Sequence, residues 1–351
     1  MAEPIPHSTL QSIDAPLEAS DAASIDDNSD ADSTLETGSV LSSTASVESS
    51  VLRYREENGR TYHGFKPSID YVLPNDVTEQ DRLDLQHNLF LLTFGGRLAL
   101  SPPGEKESNV RKVLDVGTGT GIWAMDYGDE HPEAEVLGVD LSPIQPSFVP
   151  PNVNFQIDDV ESEWTYSSKF DFIFGRMLVG SISDWPGFIQ RSFDNLEPGG
   201  WMELQDITFP VECDDGSMKS DAAVKKWSDT MLQATSAIQR YGDSPKRYKQ
   251  QMIDAGFVNI REVVYKWPTN PWPKDPRYKE LGAWCYENIA GSLSGLSMAL
   301  FTRGLGWDAT DVEVFLVDVR KSMRDKNVHA WWPIFVVYGQ KPPAPGAAAA
   351  E

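Results

Sequence analysis

The sequence predicts an α/β fold, a mostly parallel sheet with helices on both faces, and three observations carry that expectation. Short apolar runs recur between helical or loop segments at Lys112–Val116, Glu135–Val139, Val153–Ile157, Phe170–Phe174 and Trp201–Gln205. Regular alternation of this kind builds a parallel sheet, because each crossover returns the chain to the same end. The first run breaks into Asp115-Val116-Gly117-Thr118-Gly119-Thr120-Gly121, a strand opening into a loop with Gly at every second position. Such glycines let the backbone turn tightly and approach a ligand that side chains would block. With 351 residues, 40% of them hydrophobic, the chain can bury a substantial core.

The N-terminal fifty residues hold ten Asp or Glu, no Lys or Arg and no aromatic residue. A segment with so little to bury is expected to stay disordered, so 1–50 reads as an acidic Ser/Thr-rich tail. Glu79–Leu100 reads as a helix, with Leu83, His87, Leu91, Phe94 and Leu98 near one face, ended by Ser101-Pro102-Pro103-Gly104. The five strands follow, and Asp184–Asn195 is a helix before the stop and turn Leu196-Glu197-Pro198-Gly199-Gly200. Ser217–Gln239 carries Trp227, Met231, Ala234 and Ile238 at helical spacing, which predicts a helix packed on the sheet. Pro245–Ala255 is a further helix, ended by Gly256 and leading into the β-rich Phe257–Tyr265. The prolines of Trp267–Pro276 exclude a helix or inner strand and predict a rigid connector. Helices Tyr278–Arg303 and Asp311–Met323 then precede the last strand, Pro333–Tyr338. The expectation is one α/β domain over 51–342 with a helical cap at 267–330, and an Ala-rich tail at 343–351.

Charge and composition exclude several function classes. The net charge is −23, of which the tail supplies −10, leaving −13 on the body without a Lys/Arg cluster. Such a body is not drawn to a phosphate backbone or an anionic membrane, so direct nucleic-acid and membrane binding are not expected. No apolar run approaches the roughly 20 residues of a membrane span. The start, Met-Ala-Glu-Pro-Ile-Pro, lacks a secretory signal's basic end and apolar core, which suggests a cytoplasmic or nuclear protein. Two cysteines, Cys213 and Cys285, and five scattered histidines give neither a disulfide framework nor a metal motif.

The strand ends carry the chemistry. A dinucleotide fold spaces its glycines G-x-G-x-x-G, whereas Gly117, Gly119 and Gly121 give G-x-G-x-G with Asp115 two residues earlier. That combination suits S-adenosylmethionine, whose ammonium can be accepted by Asp115 and the loop carbonyls. Asp140 ends the second strand 19 residues after Gly121, where a carboxylate can accept from ribose hydroxyls. This does not separate adenosyl cofactors from NAD. The third strand ends in Asp158-Asp159-Val160, an acid for the adenine amino group with a following backbone N–H for a ring nitrogen. Each acid alone could be an ordinary solvated carboxylate; in this order after the glycine turn they describe one crevice. Arg176, after the fourth strand, suits a cofactor carboxylate or an acceptor anion, or a structural ion pair.

On these residues the chain resembles the class I S-adenosylmethionine-dependent methyltransferases, through Asp115–Gly121, Gly138-Val139-Asp140, Phe170-Asp171-Phe172-Ile173 and Leu196–Gly200. More narrowly it resembles the fungal LaeA-like branch. That likeness adds Glu57–His63, Leu73–Asp76, Asp81–His87, Gly175-Arg176-Met177, Ser183-Asp184-Trp185 and Val337–Pro342, spanning roughly residues 54 to 342. The resemblance implies a Rossmann-like sheet with an antiparallel last strand, and S-adenosyl-L-methionine as donor. It implies methylation of a small-molecule secondary metabolite, with the alternative of a regulator of secondary metabolism acting through protein partners, for which the tail is a candidate surface.

Methyl transfer from a sulfonium is an in-line displacement, so the protein mainly holds the reactants together in a dry pocket. If the acceptor must lose a proton, His is the natural base, and His63 and His329 are the candidates, each weighed against a structural role. His87, on an apolar helix face, reads as packing; His7 and His131 read as tail and surface. Trp201, Trp284, Trp331 and Trp332 could line an apolar acceptor pocket, with core packing the competing role.

Overall fold

The computed structural model describes residues 16–20, 54–65 and 71–344. The hairpin β1 (Arg55–Glu57) and β2 (Arg60–Tyr62) turns at Asn58-Gly59, both at positive φ, as a two-residue hairpin loop favours. Helix α1 (Val77–Phe94) starts at Asp76, whose side chain accepts from the Glu79 N–H, and ends at Gly95 in the left-handed region. It is shorter than the expected Glu79–Leu100 because Gly95 and Gly96 both take positive φ and turn the chain.

The central sheet is built from β3 (Lys112–Val116), β4 (Glu135–Asp140), β5 (Val153–Ile157), β6 (Phe170–Arg176), β7 (Leu196–Ile207), β8 (Glu212–Cys213), β9 (Val258–Pro268) and β10 (Ala330–Gln340). Its order runs β5-β4-β3-β6-β7-β10, with β8 and β9 also paired to β10. Pairs β3–β4, β4–β5, β3–β6 and β6–β7 are parallel, and β10 is antiparallel to β7, β8 and β9. This is the mostly parallel α/β sheet with an antiparallel last strand that the sequence predicts. Two details differ. Leu196–Gly200 is absorbed into β7, where a register shift between Phe170 and Phe172 accommodates the Pro-Gly-Gly turn. Trp267 and Pro268 extend β9 opposite Trp332 and Trp331, tolerated because β9 pairs with β10 alone and Pro268 loses no second partner.

Helices α2 (Ile122–Glu130), α3 (Trp185–Asn195) and α5 (Pro245–Asp254) cover the sheet. Side chains alternate: Leu114, Ile173 and Leu204 pack with Phe188 of α3 and Met252 of α5, while Val113, Phe172 and Phe174 pack with Trp123 and Tyr127 of α2. A third core lies over the antiparallel half, where Ile334 and Val336 meet α1, α4 (Ala223–Ala237), α6 (Pro276–Ala290), α7 (Leu293–Leu305) and α8 (Ala309–Arg324). The expected single helix Tyr278–Arg303 divides into α6 and α7 at Gly291-Ser292. Helix α4 packs on α7 and α8, so the helical layer also draws on residues before β9.

Part of the expected disordered tail is ordered. Residues 16–20 run alongside the connector, with Ala19 bridged to Pro273; the rest of 1–50 lies outside the described residues, as do 345–351. Among the described residues no helix is long and apolar enough to cross a membrane.

Candidate active site

The carboxyl ends of β3, β4, β5 and β6 open on one crevice, the position where open α/β sheets place ligands. Val116 passes into Gly117 at φ 65°, where a Cβ would stand 2.5 Å from Leu178 Cδ2. The loop is pinned by the Thr118 N–H to the Val139 carbonyl, 3.0 Å. At Gly119, φ 57°, a Cβ would stand 3.3 Å from Leu83 Cδ1, a side chain that also lines the cavity. These residues line the cavity with bare backbone, together with Asp115 and Thr118. Gly121 does not line it: it begins α2 at φ 81°, and a Cβ there would strike the Phe155 ring at 2.4 Å. Its place is helix–strand packing.

Asp115 is buried, and its Oδ2 accepts the Thr118 hydroxyl at 2.5 Å. Burial pushes its carboxyl up to about 7, against the Thr118 bond and the Arg176 charge. Asp140 splits its oxygens, Oδ2 accepting from the Gly119 N–H and Oδ1 from the Ser142 N–H, both 2.9 Å. Burial raises it to about 6. The Asp158 N–H donates to the Asp140 carbonyl at 3.0 Å, which sets the third strand end beside the second. Asp158 Oδ1 accepts from the Asp159 N–H at 2.7 Å, and Asp159 accepts from the Glu161 N–H and the Ser162 hydroxyl. Asp158, Asp159 and Val160 all line the cavity, but both carboxylates also stabilise their own turn.

Arg176 joins the crevice from the end of β6, and burial pulls it down to about 10, leaving it charged at neutral pH. Its Nη2 donates to His87 Nδ1 at 2.9 Å, its guanidinium lies 5.0 Å from the Phe90 ring centroid, and His87 Nε2 donates to Asp126 Oδ2 at 2.9 Å. Burial holds the His87 pKa down, so a neutral ring with its proton on Nε2 satisfies both partners. His87 is thus more than packing: it orients Arg176.

Helix α1 turns Glu79, Arg82, Leu83 and Gln86 to the cavity, the i, i+3, i+4, i+7 face. Arg82 forks onto Glu79 and donates from Nη1 to Asn288 Oδ1 at 3.0 Å, tying α1 to α6. Sequence reading missed Arg82 and Gln86 as cavity residues, although both fall inside the Asp81–His87 segment that marked the likeness; Glu79 and Asn288 lie outside it. The same cavity includes an apolar chamber lined by Ile207, Phe209, Trp227, Met231, Leu300 and Trp332.

The two candidate bases stand elsewhere. His63 is buried edge-on to Tyr71, ring centroids 5.9 Å apart, and Tyr71 rather than His63 reaches the cavity. His329 pairs through Nδ1 with Asp215 Oδ2 at 2.5 Å and stacks on Trp272, held there by long-range contacts that its sequence neighbourhood does not reveal. Of the four tryptophans only Trp332 lines the chamber; Trp201 and Trp331 belong to other packing and Trp284 is exposed. Among the described residues no His/Cys/Asp/Glu cluster could hold a metal.

The crevice fits an adenosyl sulfonium: bare backbone at Gly117 and Gly119, acids at the ends of β3, β4 and β5, and Arg176 at the end of β6. Comparison with known proteins agrees. Residues 85–262 match the model of a family described as methyltransferase domain. The chain is 40% identical over 302 residues to methyltransferase pytC of Aspergillus terreus, covering 86% of this chain and 92% of pytC. It is 36% identical to probable methyltransferase tdiE of Emericella nidulans (86% and 93% covered) and 37% identical to secondary metabolism regulator LAE1 of Cochliobolus heterostrophus (82% and 94% covered).

Proposed function

From the premise that the chain belongs to the class I S-adenosylmethionine-dependent methyltransferases of the LaeA-like family, we propose that it methylates a small, largely apolar secondary metabolite. One observation carries this reading: a single cavity runs from the glycine loop into the apolar chamber between Phe209, Trp227 and Trp332. When bound, S-adenosyl-L-methionine supplies the electrophilic methyl group. In the proposed assignment Asp115 and the carbonyls of Gly117–Gly119 take the cofactor ammonium, and Asp140 takes the ribose hydroxyls. Asp158 or Asp159 accepts from the adenine amino group beside the Val160 N–H, and Arg176, oriented by His87, takes the carboxylate. The chamber walls exclude water and hold the acceptor in line, a contribution that reaches about 7–11 kcal/mol for well-oriented reactants. No histidine lines the cavity among the described residues, so the chain's contribution is position and dryness rather than a histidine base.

The experiment is to titrate the whole chain calorimetrically with S-adenosylmethionine and with NAD, then incubate it with methyl-labelled donor and fungal metabolite extract. Binding of the first alone, and label in extractable small molecules, is expected; binding of NAD alone overturns the donor assignment. A second reading, a regulator acting through partners in the cytoplasm or nucleus, is favoured by the LAE1 likeness and by the acidic tail. Deleting residues 1–50 separates them. A metabolite enzyme keeps both donor binding and transfer, whereas a partner-dependent regulator keeps donor binding and loses its cellular effect.

A further inference from the structure

Residues 16–20 lie along the connector between β9 and α6, more than 250 positions away in sequence. The Ser20 N–H donates to the Trp272 carbonyl at 3.1 Å, and the Lys274 N–H donates to the Glu18 carbonyl at 2.7 Å. These two bonds flank the antiparallel bridge between Ala19 and Pro273. In an antiparallel ladder the pair between such bonds is the non-hydrogen-bonded one. Pro273 therefore occupies the one position of this edge where a missing N–H costs nothing. Burial along the segment alternates as on a strand: Leu17 and Ala19 are half-buried, while Pro16, Glu18 and Ser20 are exposed. The Glu18 carboxylate also comes within 3.6 Å of Lys274 Nζ, an exposed pair that aids register more than affinity.

The receiving edge is held rigid from behind. Trp272 Nε1 donates to the Ala330 carbonyl at 2.9 Å, its ring stacks on His329 with centroids 4.8 Å apart, and Asp275 caps α6 through the Arg277 and Tyr278 N–H groups. We infer that Trp272–Lys274 is a strand-addition site on the helical layer and that its occupant is residues 16–20 of the same chain. The site reads an extended segment with small or apolar side chains at alternate positions and a carboxylate between them. It lies outside the donor and acceptor cavity, yet it borders α6, which carries Asn288 to Arg82 and Ile289 to the cavity wall. The acidic tail is thereby anchored on the cap.

Hydrogen exchange of the full chain tests this, because Pro271 and Pro273 have no amide and the Lys274 N–H reports the bond to Glu18. Ser20→Pro removes the Ser20 donor, and Ser20→Ala keeps it. Exchange at Lys274 is expected to quicken about fivefold or more in Ser20→Pro and not in Ser20→Ala. The Thr269 N–H, bonded to the Ala330 carbonyl at 3.0 Å, is expected to stay unchanged in all chains. A synthetic peptide of residues 14–23 is expected to restore protection to the Ser20→Pro chain. Equal exchange at Lys274 in all three chains overturns the site. Protection that rises with protein concentration overturns the same-chain occupant in favour of a second copy.

Discussion

Asp115 carries the sharpest expectation at the scale of single residues. Its carboxyl is raised to about 7 by burial, and in the proposed assignment a cofactor ammonium needs it ionised. Affinity for S-adenosylmethionine is therefore expected to tighten as pH rises through about 7 and to weaken below it. Asp115→Asn is expected to abolish that slope and to cost about 10- to 100-fold in affinity at alkaline pH. Calorimetric titrations across that range check both statements, and a wild-type affinity independent of pH contradicts the assigned role. The strand-end acids were legible in the sequence because residue type and spacing place them. The bonds that occupy Asp159 were not, nor was the Asp126–His87–Arg176 chain, since His87 and Asp126 are 39 positions apart and meet only when α1 packs on α2. Histidine chemistry suggested His63 and His329, but their environments come from Tyr71 and Asp215, and chemistry says nothing of placement.

Among the elements, α1 is the most instructive. Asp76 accepts from the Glu79 N–H at 3.1 Å and receives the Arg60 fork at 2.5 and 2.8 Å, joining the cap of α1 to the β1–β2 hairpin. Burial opposes its charge, but Arg60 and the backbone donors together hold its pKa below the usual value. A carboxyl lowered in this way stabilises the fold above its unfolded pKa and loses that contribution as pH falls through the folded one. Asp76→Ala is expected to lower unfolding stability at neutral pH by about 1–2 kcal/mol, with Asp76→Asn, which keeps a capping oxygen, costing less. Urea denaturation measures the difference. Strands β3, β4 and β6 were read almost to the residue because their apolar runs are nearly continuous and mostly buried, and the edge strand β5 because its apolar residues alternate with polar ones. Ends set by glycine geometry were not: the stop of α1 at Gly95, the α6–α7 division, and the absorption of Leu196–Gly200 into β7 depend on neighbours rather than on local pattern.

Taken whole, the molecule buries several carboxylates whose pKa values rise: Asp115 to about 7, Asp140 to about 6, Asp206 to about 7, and Glu203 upward, all chiefly by desolvation. A carboxyl raised on folding stabilises most below its unfolded pKa and loses that contribution as pH rises through the folded value. His87 and His131, pulled down by burial, act the other way below about 6.5. Stability of the cofactor-free chain is therefore expected to fall as pH rises from about 5 to about 7, offset in part below about 6.5 by the two histidines, and to level off above about 7.5. Asp206 Oδ1 accepts from the Val179 N–H and Oδ2 from the Tyr248 hydroxyl, both 2.9 Å. Asp206→Asn keeps a carbonyl acceptor without the ionisation, and is expected to flatten that fall by on the order of 1–2 kcal/mol. Chemical denaturation at closely spaced pH values decides it; an unchanged slope in the variant removes Asp206 from the account.

Apolar periodicity and the glycine turn were enough to specify a parallel sheet, its sequence of elements and the crevice at its strand ends, because those features are encoded within a few neighbouring residues. The acceptor chamber was not encoded that way. Its walls come from β7, α4, α6, α7 and β10, and the polar lining residue Arg82 is tied to α6 through Asn288, groups that meet only after long-range packing. The same holds for the tail. Its composition favours disorder, yet residues 16–20 find a strand edge at Trp272–Lys274 that exists only once β9 and α6 are in place. Local sequence sets which conformations the backbone prefers; which distant surfaces come together is settled by burying them jointly.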